Sequence, residues 1–156
     1  MKSKRVAEGT RSRPSGVLRM AFRLPIHHYR LNLGWLLGHR VLLLTHRGRK
    51  SGCIYRTPLE VIRHDPTTGE NFVVSAWGEE ADWYRNLKAN PAVEIRTGRE
   101  RYVPEQRFLS AEEVYAEIAS YKRRYPLLAR ILPRWLGFRL DDSVRMVAFR
   151  PERCAQ

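Results

Sequence analysis

The chain has 156 residues, 43% of them hydrophobic, which suits the core of one domain and excludes a disordered chain. Its net charge is +13, but the basic excess lies within residues 1–50, where Glu8 is the only acid; the remainder is nearly balanced. Such a field attracts polyanions: phosphates, acidic lipid headgroups or nucleic acid.

Residues 1–14 read as a flexible basic tail ending at Pro14. No apolar run with a small-residue cleavage site follows, because Arg19, Arg23 and Arg30 interrupt it, so no secretion signal is expected and the protein is expected in the cytoplasm. No stretch is long and apolar enough for a membrane-spanning helix. Residues 16–38 read as helical with a break at Pro25. Arg19, Arg23, His27 and Arg30 recur at helical spacing, and Leu18, Phe22, Ile26, Tyr29, Leu33 and Leu36 fall near the other side. Such a segment either packs its apolar side on the domain or lies on an anionic membrane surface; a protein or nucleic-acid partner is a third possibility. Residues 1–40 are thus expected to form a basic tail and amphipathic helix, and residues 41–156 the folded domain.

From Val41 the pattern changes to short apolar runs. Val41 to Thr45 is a buried strand by composition, and Gly48-Arg-Lys-Ser-Gly52 is a turn. Arg56 to His64 is a second strand, on which alternation puts Leu59, Val61 and Arg63 on one side. Asp65-Pro-Thr-Thr-Gly69 is a turn, and Asn71 to Trp77 a third strand. Ala81 to Asn90 is a short helix stopped by Pro91. Val93 to Arg96 and Arg101 to Phe108 form another hairpin. Ser110-Ala-Glu-Glu113 is a capping box that opens a helix to about Tyr125; Pro126 starts another through Leu136. Val144 to Phe149 is a last strand. Six short antiparallel strands with helices suit an α+β chain built on a small closed barrel.

Three places can carry chemistry. In the turn Gly48 to Gly52, glycines let successive N–H groups point at one anion, Arg49 and Lys50 add charge, and Ser51 adds a donor. It is not a P-loop, whose first glycine comes earlier; alone it equally suits a solvated basic turn. Trp83, Asn86 and Leu87 share a helix side, with a flat ring and an amide for a heterocycle edge, or simply a core Trp and a capping Asn. Ser75-Ala-Trp-Gly78 ends a strand with small residues that let a ligand approach the backbone, or is an ordinary strand end. The two cysteines, Cys53 and Cys154, form no CxxC and no ligand spacing with histidine, so they read as free thiols and no metal site is expected. The histidines 27, 28, 39, 46 and 64 are scattered, and no catalytic side chain can be named.

The order of the three places adds information. LLLTHRGRKSG, RTPLEV and FVVSAWGEEADWYRNLKANPAVEI resemble the deazaflavin (coenzyme F420)-dependent nitroreductases and quinone reductases, over about Leu42 to Ile95 and weakly to Pro151. The resemblance implies a six-stranded antiparallel split β-barrel like that of flavin-mononucleotide-binding proteins. It implies that Gly48, Arg49, Lys50, Ser51 and Gly52 bind the phosphate and acidic tail of the coenzyme. Pro58 belongs to the shared Thr-Pro-Leu motif; Ser75, Ala76, Trp77 and Gly78 face the ring; and Trp83, Tyr84 and Asn86 line its pocket.

Two departures concern anion contacts. Trp77 stands where well-known members have Lys, and Tyr55 stands where they have Arg; Arg56, one step later on the opposite side of the strand, is a candidate for the phosphate on the condition that the strand bulges. A third concerns the acceptor: after Tyr125-Pro126 come Leu128 and Ile131 where some members place tyrosines, which implies a more apolar pocket.

The resemblance implies hydride transfer from reduced F420 to an apolar conjugated acceptor such as a quinone, an unsaturated lipid or a nitroaromatic. Two other functions stay open: flavin mononucleotide (FMN) on the same fold, and a non-enzymatic anion or nucleic-acid binder. Against the last, the aromatics lie mainly outside the basic third. A homodimer is implied by the family.

Overall fold

A computed structural model of the chain describes residues 38–136, 139–141 and 143–152. The amphipathic segment 16–38 and the tail before it lie outside the described residues, apart from Gly38. The elements in order are β1 (Val41–Arg47), β2 (Ile54–Asp65), β3 (Glu70–Ser75), α1 (Asp82–Ala89), β4 (Glu94–Thr97), β5 (Glu100–Tyr102), β6 (Pro104–Phe108), α2 (Ala111–Arg124), α3 (Pro126–Leu136) and β7 (Arg145–Pro151).

The strands form one antiparallel sheet in the order β5-β4-β1-β2-β3-β7-β6. β5 and β6 occupy opposite edges, yet only Val103 separates them in sequence. A chain can cross from edge to edge in one residue only if the sheet curls on itself, so the sheet is a nearly closed barrel. This corrects the strand count from six to seven. The expected single strand Arg101 to Phe108 breaks at Val103, where the chain leaves β4 and begins to pair with β7.

Period-two alternation sorts the side chains between two cores. Leu42, Leu44, Leu59, Val73, Ile95, Val147 and Phe149 meet inside, together with Trp83, Tyr84 and Leu87 of α1. Phe72, Met146 and Ala148 face outward under Val114 and Ile118 of α2. Each fully buried leucine contributes roughly 1.5–3 kcal/mol. The capping box of α2 is formed: Glu113 N donates to Ser110 Oγ (3.3 Å), and Ser110 N donates to Glu113 Oε2 (2.8 Å).

A bulge between Val61 and Arg63 reverses the alternation expected for β2. Val61 packs on the inner core, whereas Arg63 lies over the Phe72 ring (3.7 Å) and pairs with Glu117 of α2 (2.8 Å).

Candidate functional site

The site begins with the alternation of β1. Leu42 and Leu44 point inward, so His46 does too, and it is 3% exposed. Its Nδ1 lies 3.1 Å from Asn86 Nδ2 and its Nε2 lies 3.0 Å from Thr57 Oγ1. Asn86 Oδ1 accepts from the backbone N of Arg49 (3.1 Å) and from Arg49 Nη1 (2.9 Å). That fixes the amide: Nδ2 donates to His46 Nδ1, so the imidazole is the neutral Nε2–H tautomer and donates to Thr57. Burial holds the His46 pKa down, to about 4, against the opposing charge of Asp82. Arg49 also pairs with Asp82 (3.1 Å). The start of α1 and the basic turn are therefore one hydrogen-bonded unit, which explains why their order in the sequence matters.

The turn is braced at both ends. Gly48 N donates to Cys53 O (2.8 Å), Gly52 N donates to Gly48 O (2.9 Å), and Arg47 Nη1 donates to Gly52 O (3.1 Å). Gly52 has φ +68°, a conformation glycine adopts without strain. A Cβ on Gly48 would stand 2.6 Å from the Tyr55 ring and 2.7 Å from Ser51 Oγ. Ser51 Oγ lies 3.1 Å from Tyr55 Oη and accepts from Cys53 N (3.2 Å). Among the described residues, the backbone N–H groups of Lys50 and Ser51 meet no acceptor and the exposed Lys50 ammonium meets no carboxylate. Two successive free N–H groups beside an unpaired cation fit a phosphate or carboxylate. Arg49, by contrast, is committed to the scaffold of the turn.

The other expected residues are distributed as follows. Tyr55 is paired with His46 and faces the turn, whereas Arg56 is paired with Thr45 on the opposite side of the sheet, as is Pro58 with Leu43. The bulge of β2 lies further on, between Val61 and Arg63, and does not turn Arg56 round. Ser75 is buried, and its hydroxyl donates to Gly78 O (2.7 Å). Gly78 has φ +58°, and a Cβ there would meet Ser143 O at 2.5 Å. Ala76 and Trp77 are half-buried beside this closed turn. Trp83 and Tyr84 are core residues with their rings edge to face at 5.8 Å.

Tyr125, Leu128 and Ile131 stand on the outer side of the barrel. Leu128 lines a narrow apolar crevice between the sheet and α2 and α3, with Ile62, Val74, Ile118 and Met146. Its volume is about 20 Å³, room for about one water molecule. Glu60 and Tyr121 also line it; burial raises the pKa of both, opposed at Glu60 by Arg40 and reinforced at Tyr121 by Glu60. The Tyr125 ring lies 5.5 Å from that of Tyr121, and Ile131 is 57% exposed.

His46 is a residue of the site that the sequence motifs do not single out. Alternation is the signal that points to it: a histidine two and four residues beyond inward-facing leucines, just before a glycine turn, is a buried one.

A split antiparallel barrel with a braced, cation-bearing turn at the end of its first hairpin strand defines the class of protein. Its solved neighbours share that fold: an F420-H2 dependent reductase (FDR-A) is 24% identical with a TM-score of 0.52, covering 73% of this chain and 96% of that one. A structure described as a domain-swapped dimer is 21% identical with a TM-score of 0.51, covering 81% and 99%. The family profile for F420H(2)-dependent quinone reductase matches residues 22–126. A Mycobacterium tuberculosis protein bearing the name F420H(2)-dependent quinone reductase is 38% identical over 109 residues, 67% of this chain and 76% of its own. The chain belongs to the F420H(2)-dependent quinone reductase family, an oxidoreductase family whose cofactor is coenzyme F420.

Proposed function

We propose that the protein transfers a hydride from reduced coenzyme F420 to an apolar conjugated acceptor, a quinone, an unsaturated lipid or a nitroaromatic. The observation that supports this most is the turn Gly48 to Gly52, whose two free N–H groups and unpaired Lys50 suit the acidic end of the coenzyme. Lys50 and Ser51 hold that end, while Gly48, Arg49 and Gly52 keep the turn in shape. Asn86 acts through Arg49, and Trp83 and Tyr84 act from beneath by fixing α1. Ser75, Ala76, Trp77 and Gly78 offer a close backbone approach for the ring, and Arg56 and Pro58 stand on the other face of β2 for any part of the coenzyme that wraps round it. When bound, the reduced coenzyme supplies the hydride; the protein's part is to hold, orient and exclude water.

The acceptor is received on the α3 side, where Tyr125 and Leu128 stand and Ile131 forms the outer edge. The crevice there has room for a single water, so a larger acceptor requires α3 to move outward. Residues 1–40 act as a separate basic segment, with residues 16–38 lying on an anionic membrane surface and the enzyme working from the cytoplasmic side. The barrel assembles as a homodimer. Gel filtration tests the assembly, and vesicle binding by Arg19→Glu/Arg23→Glu/Arg30→Glu tests the segment.

Fluorescence titration of the wild type and Lys50→Ala with F420 and with FMN tests the central reading. F420 is expected to bind more tightly than FMN, and Lys50→Ala to weaken it about tenfold or more, the loss of one charge-assisted contact. Equal affinity for FMN would favour the flavin alternative. No uptake of F420 by the wild type would end the reading.

A further inference from the structure

We infer that the outer face of α3, together with the end of α2, is a docking surface for an anionic lipid bilayer. This surface is built from residues other than 16–38 and does not depend on the coenzyme site.

The whole-chain charge balance conceals it. Between Ile118 and Leu140 there are six Lys and Arg and no acid. Arg139 pairs with Asp141 (2.9 Å). The other five, Lys122, Arg123, Arg124, Arg130 and Arg134, are exposed, and among the described residues none meets a carboxylate. A folded surface that carried these cations merely for solubility would intersperse them with acids.

The helix α3 also exposes apolar side chains. Leu127 is 70% exposed, Ile131 57% and Leu128 49%. Leu127 and Ile131 are four apart and form one ridge, and Arg130 and Arg134, also four apart, lie beside it. The inner side of the helix is set by Pro133, which is buried in the crevice. The helix thus has an inward anchor and an outward ridge with cations along its flank, the pattern of a helix lying in a bilayer interface.

The two features together select the occupant. A polyanion such as nucleic acid would use the cations but leave Leu127 and Ile131 in water. A second copy of the chain could cover the ridge, but would bring Arg130 and Arg134 of one copy against those of the other. An anionic bilayer satisfies both, accepting the apolar side chains below the headgroups and the guanidinium groups among them. The surface also borders the crevice lined by Leu128, so docking there would place the acceptor side of the barrel against the lipid.

The test is sedimentation of the full-length protein with vesicles of pure phosphatidylglycerol and of pure phosphatidylcholine. Binding to the first and not the second is expected, weakening as salt rises. Leu127→Glu is expected to weaken partitioning about tenfold or more. Arg130→Gln/Arg134→Gln is expected to weaken it about 25-fold, about fivefold per cation. Both variants alter exposed positions, and unchanged F420 affinity and Tm check that they fold. Wild-type-like binding by both variants would overturn the proposal and leave residues 16–38 as the membrane contact. Absence of wild-type binding would overturn it too. So would a wild-type dimer that Leu127→Glu converts to a monomer, because the ridge would then be an interface between copies.

Discussion

Acidification should expose the neutral state of His46. The histidine is buried and holds a pKa of about 4, against 6.5 for an unperturbed side chain. Above pH 6.5 it is neutral in both folded and unfolded chains, and its contribution to stability is fully present. As pH falls the unfolded chain takes up the proton first, so stability declines until the pH passes about 4. The shift corresponds to about 3 kcal/mol in all, of which about 2 kcal/mol is lost between pH 7 and pH 5. Urea unfolding followed by tryptophan fluorescence at pH 7, 6 and 5 measures it, with His46→Gln as the reference that cannot titrate. The wild type should lose about 2 kcal/mol more than the variant over that range. Several carboxylates, among them Glu113 and Asp141, also have lowered pKa values. They remain in both proteins and cancel in the difference. Parallel curves for the two proteins would refute the lowered pKa of His46 and its burial as a neutral side chain.

Three further outcomes follow from the same geometry. Asn86→Asp puts a carboxylate where an amide now donates to His46, and should raise the histidine pKa by about 1–3 units; an unchanged NMR titration of His46 would disprove the contact. Gly78→Ala forces a Cβ to 2.5 Å from a backbone carbonyl at positive φ, and should cost about 2–4 kcal/mol, seen as a fall in Tm of roughly 5–10 °C in a thermal scan; a fall below about 2 °C would count against it. Trp83→Ala should destabilise the coenzyme-free protein by about 3–5 kcal/mol in urea unfolding, because the ring is core; a ring that served only as a coenzyme contact would leave that stability unchanged.

Much of the architecture is legible in the amino-acid sequence. The two glycine turns, the capping box at Ser110 and the break at Pro126 are local signals, and they stand at the observed element ends because turns and caps are decided by neighbouring residues. The order of the Gly48 turn, the Ser75 strand end and the Trp83–Asn86 helix also carries the family, and through it the cofactor. What alternation along a single strand cannot show is where a strand changes partner. Val103 divides one expected strand into two because its neighbours pair with opposite edges of the sheet, and the bulge after Val61 turns Arg63 outward.

The site divides in the same way. Residue types and their order are enough to mark a segment that is basic, flexible at glycine and followed by a Trp-bearing helix. What those residues do for one another is settled by the folding of the chain in space. Hydrogen bonds across 37 and 40 residues make Arg49 a brace, leave Lys50 to meet the anion, and turn a histidine that looks incidental in the sequence into the hub of the turn. Such roles depend on distance in space, and a linear pattern carries that only for neighbours on one helix or strand.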